Sequence, residues 1–375
     1  MIKRVIQDRV IERLKPNKVV MLYGARRVGK TVLIKEIIKE FLGKCLLPNG
    51  EDYNAKALLE EKSIANYSGL LQGFDMLVID EAQNIPEIGQ KLKLIVDEIP
   101  GIKVLASGSS SFDLYHSTGE PLVGRNIIFQ LFPFSQEEFK LTENLLETRQ
   151  NLESRMIYGS YPEPSFIEHF DEKREYLKEL VNSYLLKDIL SIDGLRNSGK
   201  MKDLLQIIAF QIGSEVSFEE LGRQLGMNKG TVEKYLDMLS KIFVIFRLKG
   251  FSRNLRKEIS KTAKWYFYDN GIRNAIISNF SPLALRNDTG HLWENYLLSE
   301  RQKLNNNKRY SKEHFFWRTY DGQEIDLIET RDDQISAYEC KWGKSSGKTP
   351  GAFSKAYPDA SYKLVNRDNY LEFVL

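Results

Sequence analysis

The chain is poor in the residues that build covalent or metal-bound frameworks. Its 375 residues include two cysteines and four histidines, which excludes a disulfide framework, a CxxC pair and a histidine-rich zinc site. Lys and Arg number 54 against 51 Asp and Glu, so the net charge of +3 predicts that any nucleic-acid surface is local. No run of about 18 apolar residues occurs, and charges throughout the N-terminus argue against a signal peptide. These absences predict a cytoplasmic protein with no membrane contact.

Apolar runs alternate with helical patterns over the first part of the chain. Residues 18–24, 74–83, 102–111 and 126–135 are typical of buried strands, and helical stretches separate them. This alternation predicts an α/β fold with a parallel sheet and helices on both faces. From about residue 140 the pattern is helical, and three strand-like runs follow at 314–320, 324–329 and 335–342, the first two joined by an Asp321-Gly322 turn.

The segment "GARRVGKT" (24–31) fits the phosphate-loop pattern GxxxxGK[ST] between a strand and a helix. The glycines let the backbone wrap tightly, and its N–H groups then cradle anionic phosphates at the helix N-terminus. Lys30 is expected to reach the β- and γ-phosphates of ATP, and the Thr31 hydroxyl to ligate Mg²⁺. The residues expected to bind ATP are Gly24, Ala25, Arg26, Arg27, Val28, Gly29, Lys30, Thr31 and Val32.

Two adjacent acids follow the strand in "LVIDEA" (77–82). Asp80 is expected to hold the Mg²⁺ shell, and Glu81 to polarise the attacking water. Glu81 is alternatively an ordinary acid at a helix N-terminus. Paired acids downstream of a phosphate loop predict hydrolysis as well as binding.

Polar residues at two further strand ends are candidates for the same site. Ser107 or Ser109, in "LASGSSS", is placed to contact the γ-phosphate or the water, or simply forms a loop. Arg125, just before a strand, is a candidate arginine finger for its own site or that of a neighbouring copy, which would imply a homo-oligomer. A solvated surface arginine is the alternative.

The order of these motifs, followed by "FPFSQEEF" and "GSYPEP", resembles the AAA-type ATPases of bacteria and archaea that carry a C-terminal domain of unknown function. The resemblance extends over nearly all of the chain. It implies an AAA-like core over residues 1–140, a helical lid over 141–200, a winged helix over 201–265 and a restriction-endonuclease-like domain over 266–375.

Residues 217–243 have helix–turn–helix spacing, and the stretch that follows is basic. A basic wing suits phosphate contacts that do not read sequence. The module is alternatively an interaction or packing unit whose lysines form a solvated face. The residues expected to contact DNA are Lys229, Lys234, Arg253, Arg256 and Lys257.

The C-terminal stretch contains acids at strand spacing, together with a lysine. Glu339 and Lys341 of "AYECKW" share one face of a strand, Asp326 lies in the preceding run, and Glu294 lies in a helix. This E…D…ExK set matches restriction-endonuclease-like (PD-(D/E)XK) phosphodiesterases. The match implies that Asp326 and Glu339, helped by Glu294, hold a second divalent metal, and that Lys341 stabilises charge or orients water.

Several readings of this C-terminal set stay open at the level of sequence. It is an active metal-dependent nuclease, an inactive domain of the same fold, or a coincidence that includes a simple Glu339–Lys341 ion pair. The favoured function is Mg²⁺-dependent ATP hydrolysis coupled to work on DNA. The rivals are a regulatory NTPase switch whose C-terminal domains bind a partner, and an assembly ATPase with a structural nuclease-like domain.

Overall fold

A computed structural model of the chain describes residues 2–108, 122–185, 198–252, 263–343 and 346–375. The chain divides into two compact units. The N-terminal unit comprises Met1–Phe132 with Lys241–Phe243, and the C-terminal unit comprises Pro133–Ser240 with Val244–Leu375. Within the described ranges, no helix combines the length and apolar character needed to cross a membrane.

The N-terminal unit is built on a five-stranded, all-parallel sheet in the order β2-β3-β4-β1-β5. Its strands are β1 (Val19–Tyr23), β2 (Cys45–Leu46), β3 (Met76–Ile79), β4 (Lys103–Gly108) and β5 (Asn126–Gln130). Every residue of β1 and β3 is buried, as expected for strands covered on both faces. The predicted α/β fold with a parallel sheet is therefore confirmed.

Five helices belong to this unit within the described residues. They are α1 (Gln7–Arg13), α2 (Lys30–Glu40), α3 (Tyr53–Leu58), α4 (Ile64–Leu70) and α5 (Ile88–Glu98). Side chains of Asp52 and Ser63 accept hydrogen bonds from the first turns of α3 and α4, which fixes where those helices begin. Helix α2 starts one residue after Gly29, so the phosphate-loop segment lies between β1 and the N-terminus of α2.

The C-terminal unit contains a seven-stranded mixed sheet in the order β12-β11-β10-β9-β7-β8-β6. Its strands are β6 (Glu215–Val216), β7 (Ile245–Gly250), β8 (Ala263–Phe267), β9 (Glu313–Arg318), β10 (Glu324–Arg331), β11 (Gln334–Cys340) and β12 (Ser361–Val365). The three strand-like runs predicted near the C-terminus are β9, β10 and β11, and the Asp321-Gly322 turn joins the first two. A C-terminal α/β unit is therefore present.

This sheet is continuous across the expected boundary at residue 265. Strands β7 and β9 pair in parallel, Lys249 opposite Phe315 and Gly250 opposite Phe316. The strands of the expected winged helix thus share hydrogen bonds with those of the expected nuclease-like domain. The helix–turn–helix pattern corresponds to α12 (Phe218–Leu225) and α13 (Lys229–Lys241). The four-domain division stays a prediction.

The C-terminal unit has ten further α-helices within the described residues. They are α6 (Gln136–Phe139), α7 (Leu145–Gln150), α8 (Leu152–Tyr158), α9 (Pro162–Phe166), α10 (Phe170–Glu179), α11 (Ser198–Phe210), α14 (Asn270–Ile276), α15 (Thr289–Lys308), α16 (Gly351–Ala356) and α17 (Tyr370–Val374). Helix α15 lies against the sheet, where its Asn295 side chain exchanges two hydrogen bonds with the backbone of Phe267 in β8.

Two of the motifs behind the family resemblance have packing roles. In "FPFSQEEF", the Gln136 N–H donates to Glu300 of α15 at 2.6 Å, and Lys303 donates to the Phe134 carbonyl at 3.0 Å. In "GSYPEP", the Ser160 N–H donates to the buried Asp269 carboxylate at 2.7 Å. Gly159 has φ +73°, and a Cβ there would lie 2.0 Å from Asp269 Oδ1, so a side chain is excluded.

Candidate functional site

The segment 24–31 forms a loop around the side chain of Lys30. Gly29, at the N-cap of α2, has φ 96°, a left-handed conformation that glycine adopts without a steric penalty. Lys30 is 5% exposed, and its ammonium donates to the carbonyls of Gly24 at 3.0 Å and Ala25 at 3.1 Å. Among the other loop residues, Ala25 and Val28 are buried, whereas Arg27 and Val32 are exposed. A cation thus lies inside the loop at the positive end of a helix, as phosphate binding requires.

The carboxylate of Asp80 lies beside this loop and is held from both sides. Thr31 Oγ1 donates to Asp80 Oδ2 at 2.6 Å, and the buried Ser107 hydroxyl donates to Asp80 Oδ1. The pairing of β3 with β4, Ile79 opposite Ala106, brings Asp80 and Ser107 side by side at the strand ends. A hydroxyl and a carboxylate oxygen at this spacing are ligands that suit Mg²⁺, so the residues present fit that ion.

Glu81 adopts a backbone conformation that is unusual for a residue with a side chain. Its φ is 50° and its ψ is 48°, a left-handed conformation that costs about 1–3 kcal/mol and that tends to occur at functional sites. The Glu81 N–H donates to Ser107 Oγ at 3.2 Å, and its carboxylate accepts from Gln83 Nε2 at 2.6 Å. The carboxylate is therefore oriented by specific partners next to Asp80.

The remaining candidates for this site are Arg125, Ser107 and Ser109. Arg125 forms a half-exposed ion pair with Asp97, with Nε and Oδ1 2.5 Å apart, so an arginine-finger role would require that pair to open. Ser109 lies outside the described residues. Of the two serines proposed from the sequence, Ser107 is the one observed at Asp80.

One residue that sequence reasoning missed supports the loop from beneath. The buried guanidinium of Arg4 donates to the Val28 carbonyl at 3.0 Å and to the Phe132 carbonyl at 2.5 Å. It thereby joins the phosphate loop to the backbone that follows β5. Arg4 lies shortly before α1, and no local sequence signal marks it.

A cavity of about 510 Å³ in the C-terminal unit brings together the four residues of the E…D…ExK set. Glu294 comes from α15, Asp326 from β10, Glu339 from β11 and Lys341 from just beyond β11. The Cys340 N–H donates to Asp326 Oδ2 at 2.7 Å, and Lys341 Nζ lies 2.6 Å from Glu339 Oε1. The shared strand face predicted for Glu339 and Lys341 thus corresponds to an ion pair at the cavity wall.

A second lysine, Lys264 of β8, also lines this cavity and is almost fully buried. Its ammonium contacts Glu324 and lies 3.7 Å from Glu294 Oε1. Burial alone would lower the pKa of Lys264, but the charges of Glu294 and Glu324 outweigh burial and raise it. Lys264 is therefore a charged internal counter-ion to these acids, and no sequence motif points to it.

The carboxylates of this cavity are engaged by protein groups. Glu294 Oε1 accepts from the Tyr266 hydroxyl at 2.5 Å, Asp326 accepts from a backbone N–H, and Glu339 pairs with Lys341. Burial, followed by the charges of Glu294 and Glu339, raises the pKa of Asp326 well above its ordinary value. Across the described parts of the chain, no three His, Cys, Asp or Glu side chains gather in a way that could hold a metal ion. The arrangement does not fit the second divalent metal expected at Asp326 and Glu339.

The expected DNA-contacting residues fall mostly outside the described ranges. Arg253, Arg256 and Lys257 belong to the undescribed stretch between β7 and β8. Lys229, at the start of α13, pairs with Glu219 at 2.8 Å, and Lys234 is exposed on the same helix. The expected basic wing therefore stays a prediction.

Family comparisons agree with the geometry of the nucleotide site. Residues 16–140 match a family model described as an AAA domain. Residues 149–283 and 289–373 match two models described as domains of unknown function, DUF8612 and DUF4143. Together with the loop, Thr31 and Asp80, the first match supports an ATP-binding, AAA-type P-loop domain over residues 16–140.

Alignments with individual similar proteins cover most of the chain. "Uncharacterized protein MJ1544" of Methanocaldococcus jannaschii is 26% identical, and the match covers 97% of this chain and 84% of that protein. "Uncharacterized protein Rv2008c" of Mycobacterium tuberculosis is 25% identical over 86% of this chain and 70% of its own length. Among solved structures, the Thermotoga maritima RuvB Holliday junction branch migration motor is 16% identical, with a TM-score of 0.33 over 66% of this chain and 90% of that one.

Proposed function

We propose that this protein is a Mg²⁺-dependent AAA-type ATPase that acts on DNA through its C-terminal unit. The observation that carries the ATPase proposal is the placement of Asp80 between the hydroxyls of Thr31 and Ser107, at the mouth of the loop that encloses Lys30. This arrangement supplies phosphate binding, a metal ligand set and adjacent acids in one place.

Each residue has a distinct proposed role in this site. Backbone N–H groups of the loop bind the phosphates of ATP, and Lys30 neutralises the β- and γ-phosphates. Thr31 and Asp80 would hold Mg²⁺, which supplies charge neutralisation at the phosphates. Ser107 holds Asp80 in position through its hydrogen bond. Glu81 accepts the proton of the attacking water, and Gln83 donates a hydrogen bond that restrains the Glu81 carboxylate.

Glu81→Gln is expected to slow ATP hydrolysis by about 10²-fold while ATP still binds, because an amide cannot accept a proton. Phosphate release and ATP affinity, both measured with Mg²⁺, test this. Glu87→Gln is the matched control, since Glu87 is a second glutamate in a left-handed conformation and pairs with Lys62 on the surface. Full activity in Glu81→Gln would remove Glu81 as the base. A wild-type protein without Mg²⁺-dependent turnover would end the ATPase proposal.

The target of this ATPase is the second part of the proposal. We favour DNA over a regulatory switch that binds a protein partner, since the C-terminal unit carries two exposed arginines and the Trp342 ring beside the acid cavity. ATP turnover stimulated by DNA, and losing that stimulation steeply with salt, would support DNA as the target. A finger role for Arg125 in a homo-oligomer belongs to the same proposal. It would appear as ATPase activity per protomer that rises with protein concentration.

For the acid cavity we propose a binding role without metal-dependent cleavage. The supporting observation is that Lys264, Tyr266 and Lys341 already engage the carboxylates at which a divalent ion would be ligated. The ammonium groups of Lys264 and Lys341 together supply, among these acids, the charge that a divalent ion would supply. On this reading the nuclease-like unit retains the residue set but presents it as an internal ion network.

Lys264→Ala removes this internal cation and is expected to create a response to Mn²⁺ that the wild-type protein lacks. Mn²⁺ at ten times its dissociation constant would stabilise the variant by about 1.4 kcal/mol. The unfolding temperature would then rise by about 3–5 °C. Lys363→Ala, which removes an exposed partner of Glu372, is the control and should show no response. Mn²⁺- or Mg²⁺-dependent nicking of plasmid by the wild type, lost in Asp326→Ala, would contradict this proposal and restore the nuclease reading.

A further inference from the structure

A second groove, of about 420 Å³, lies next to the acid cavity in the C-terminal unit. Trp342 lines both, so the two are contiguous at that ring. The groove walls come from α7, from the first residue of α8, from the residues just after β11, and from the turn after β12. Its lining includes Arg149, Trp342, Asn366, Arg367 and Asp368.

The groove presents an aromatic ring and two cations in a defined order. The guanidinium carbon of Arg367 lies 4.5 Å from the centroid of the Trp342 ring. Trp342 is in turn fixed edge-on against the buried Trp293, with centroids 5.3 Å apart and planes at 67°. Stacking of a cation on a tryptophan face is favourable by itself, and it orients the guanidinium while its N–H donors stay available.

The two arginines of the groove are exposed. Among the residues that the structure describes, neither Arg149 nor Arg367 lies within ion-pair distance of a carboxylate, whereas most other arginines of this unit do. Asp368 is the acid in the groove lining, set against these two cations. The groove therefore offers unneutralised positive charge beside an aromatic layer.

We propose that this groove binds a single strand of DNA. A base stacks on the layer formed by Trp342 and Arg367, and the flanking phosphates bind Arg149 and the outer edge of Arg367. The inference rests on the proposed action on DNA and names the surface that performs it. A duplex is disfavoured as the occupant, because bases can stack on protein rings only when they have left the duplex stack.

The adjoining cavity indicates where the bound strand would continue beyond the groove. Lys341 precedes Trp342 directly in the chain, and its ammonium is half-exposed on the cavity side of that ring. A phosphate that continues from the groove past Trp342 meets Lys341 once the ion pair between Lys341 and Glu339, 2.6 Å apart, opens. The strand thus crosses a stacking ring between two basic positions, which is the arrangement that sequence-tolerant binding of single strands uses.

The test is the affinity of the full-length protein for a fluorescein-labelled oligothymidylate, measured by anisotropy at several salt concentrations. Trp342→Ala is expected to weaken binding about tenfold, and Trp342→Phe to restore most of the loss, because a phenyl ring still stacks. Arg149→Ala is expected to weaken binding about fivefold and to lower the slope of log affinity against log salt by about 0.7. Arg331→Ala, an exposed arginine at the β10–β11 turn, is the control and should bind as the wild type does.

The outcomes separate this groove from the broader function. If the wild type binds the oligonucleotide but both Trp342→Ala and Arg149→Ala bind equally well, the strand lies elsewhere and the groove assignment is wrong, while the action on DNA stands. Arg149 is an exposed residue on α7, so its variant tests the groove even if the loss of Trp342 disturbs the packing around Trp293. If the wild type binds no oligonucleotide even at low salt, the proposed action on DNA fails together with the groove.

Discussion

Lys30→Ala is expected to abolish Mg²⁺-dependent ATP hydrolysis, with a loss of at least about 10³-fold. The Lys30 ammonium is the cation enclosed by the phosphate loop, 3.0 Å from the Gly24 carbonyl and 3.1 Å from that of Ala25. A methyl group there leaves the β- and γ-phosphates without their counter-charge in a buried setting, where charge interactions are strongest. Phosphate release and the binding of a fluorescent ATP analogue are the two measurements.

A matched control exists on the same helix. Lys35 is exposed on α2 and lies outside the loop, so Lys35→Ala should hydrolyse ATP as the wild type does. The unfolding temperature of Lys30→Ala shows whether the variant is folded, since a buried lysine has been removed. Unchanged hydrolysis in a folded Lys30→Ala protein would contradict the assignment of residues 24–31 as the nucleotide loop.

Glu329→Ala is expected to destabilise the C-terminal unit by about 3–5 kcal/mol, because it leaves a buried arginine without its counter-ion. Arg301 of α15 donates to both carboxylate oxygens of Glu329 in β10, at 2.6 and 2.7 Å. Lys312 and His314 contact the same carboxylate at 3.0 Å each. This cluster connects the long helix to the sheet, so its loss is expected to loosen their packing.

Tryptophan fluorescence is suited to this measurement, because all four tryptophans of the chain, at positions 265, 293, 317 and 342, lie in the C-terminal unit. Urea unfolding followed at the tryptophans therefore reports on that unit. Glu372→Ala removes the exposed partner of Lys363 and should cost less than about 1 kcal/mol. An equally small effect for Glu329→Ala would show that the cluster contributes little to stability.

The same cluster predicts how stability depends on pH. Burial alone would raise the pKa of Glu329, but the hydrogen bonds from Arg301 and His314 outweigh burial and lower it below its ordinary value. A carboxyl with a lowered pKa in the folded state stabilises the protein above its unfolded pKa, and this contribution is lost as the pH falls toward the folded pKa. The difference in unfolding free energy between wild type and Glu329→Ala should therefore be full near neutral pH and shrink below about pH 4.

The arrangement of the candidate nucleotide site was largely predictable from the sequence, because its parts are local patterns. The loop 24–31 and the acids at Asp80 and Glu81 each follow a strand within a few residues, and parallel strands present their carboxyl ends at one edge. The placement of Ser107 beside Asp80 depends on the pairing of β3 with β4, which no local pattern fixes, and Ser109 lies outside the described residues. Arg4 and Phe132 are 128 positions apart in the sequence, so no local pattern indicates that they are in contact.

The C-terminal cavity shows the opposite balance. Strand spacing placed Glu339 and Lys341 on one face, and the match to the E…D…ExK pattern implied that Asp326 and Glu294 join them. The structure brings all four to one cavity. The identity of their partners was not predictable, because Lys264 and Tyr266 come from β8, which straddles the domain boundary expected at residue 265. Whether acids gather around a metal or around a lysine depends on such distant neighbours.

The continuous seven-stranded sheet determines where recombination could divide this protein during evolution. Because β7 supplies the backbone partners of β9, a segment that began near residue 266 would carry β9 with one edge unpaired. Exposed edges of that kind recruit other strands and promote aggregation. Genetic recombination between the helix–turn–helix region and the acid cavity would therefore yield products that aggregate. We expect the two regions to be inherited together as a single unit.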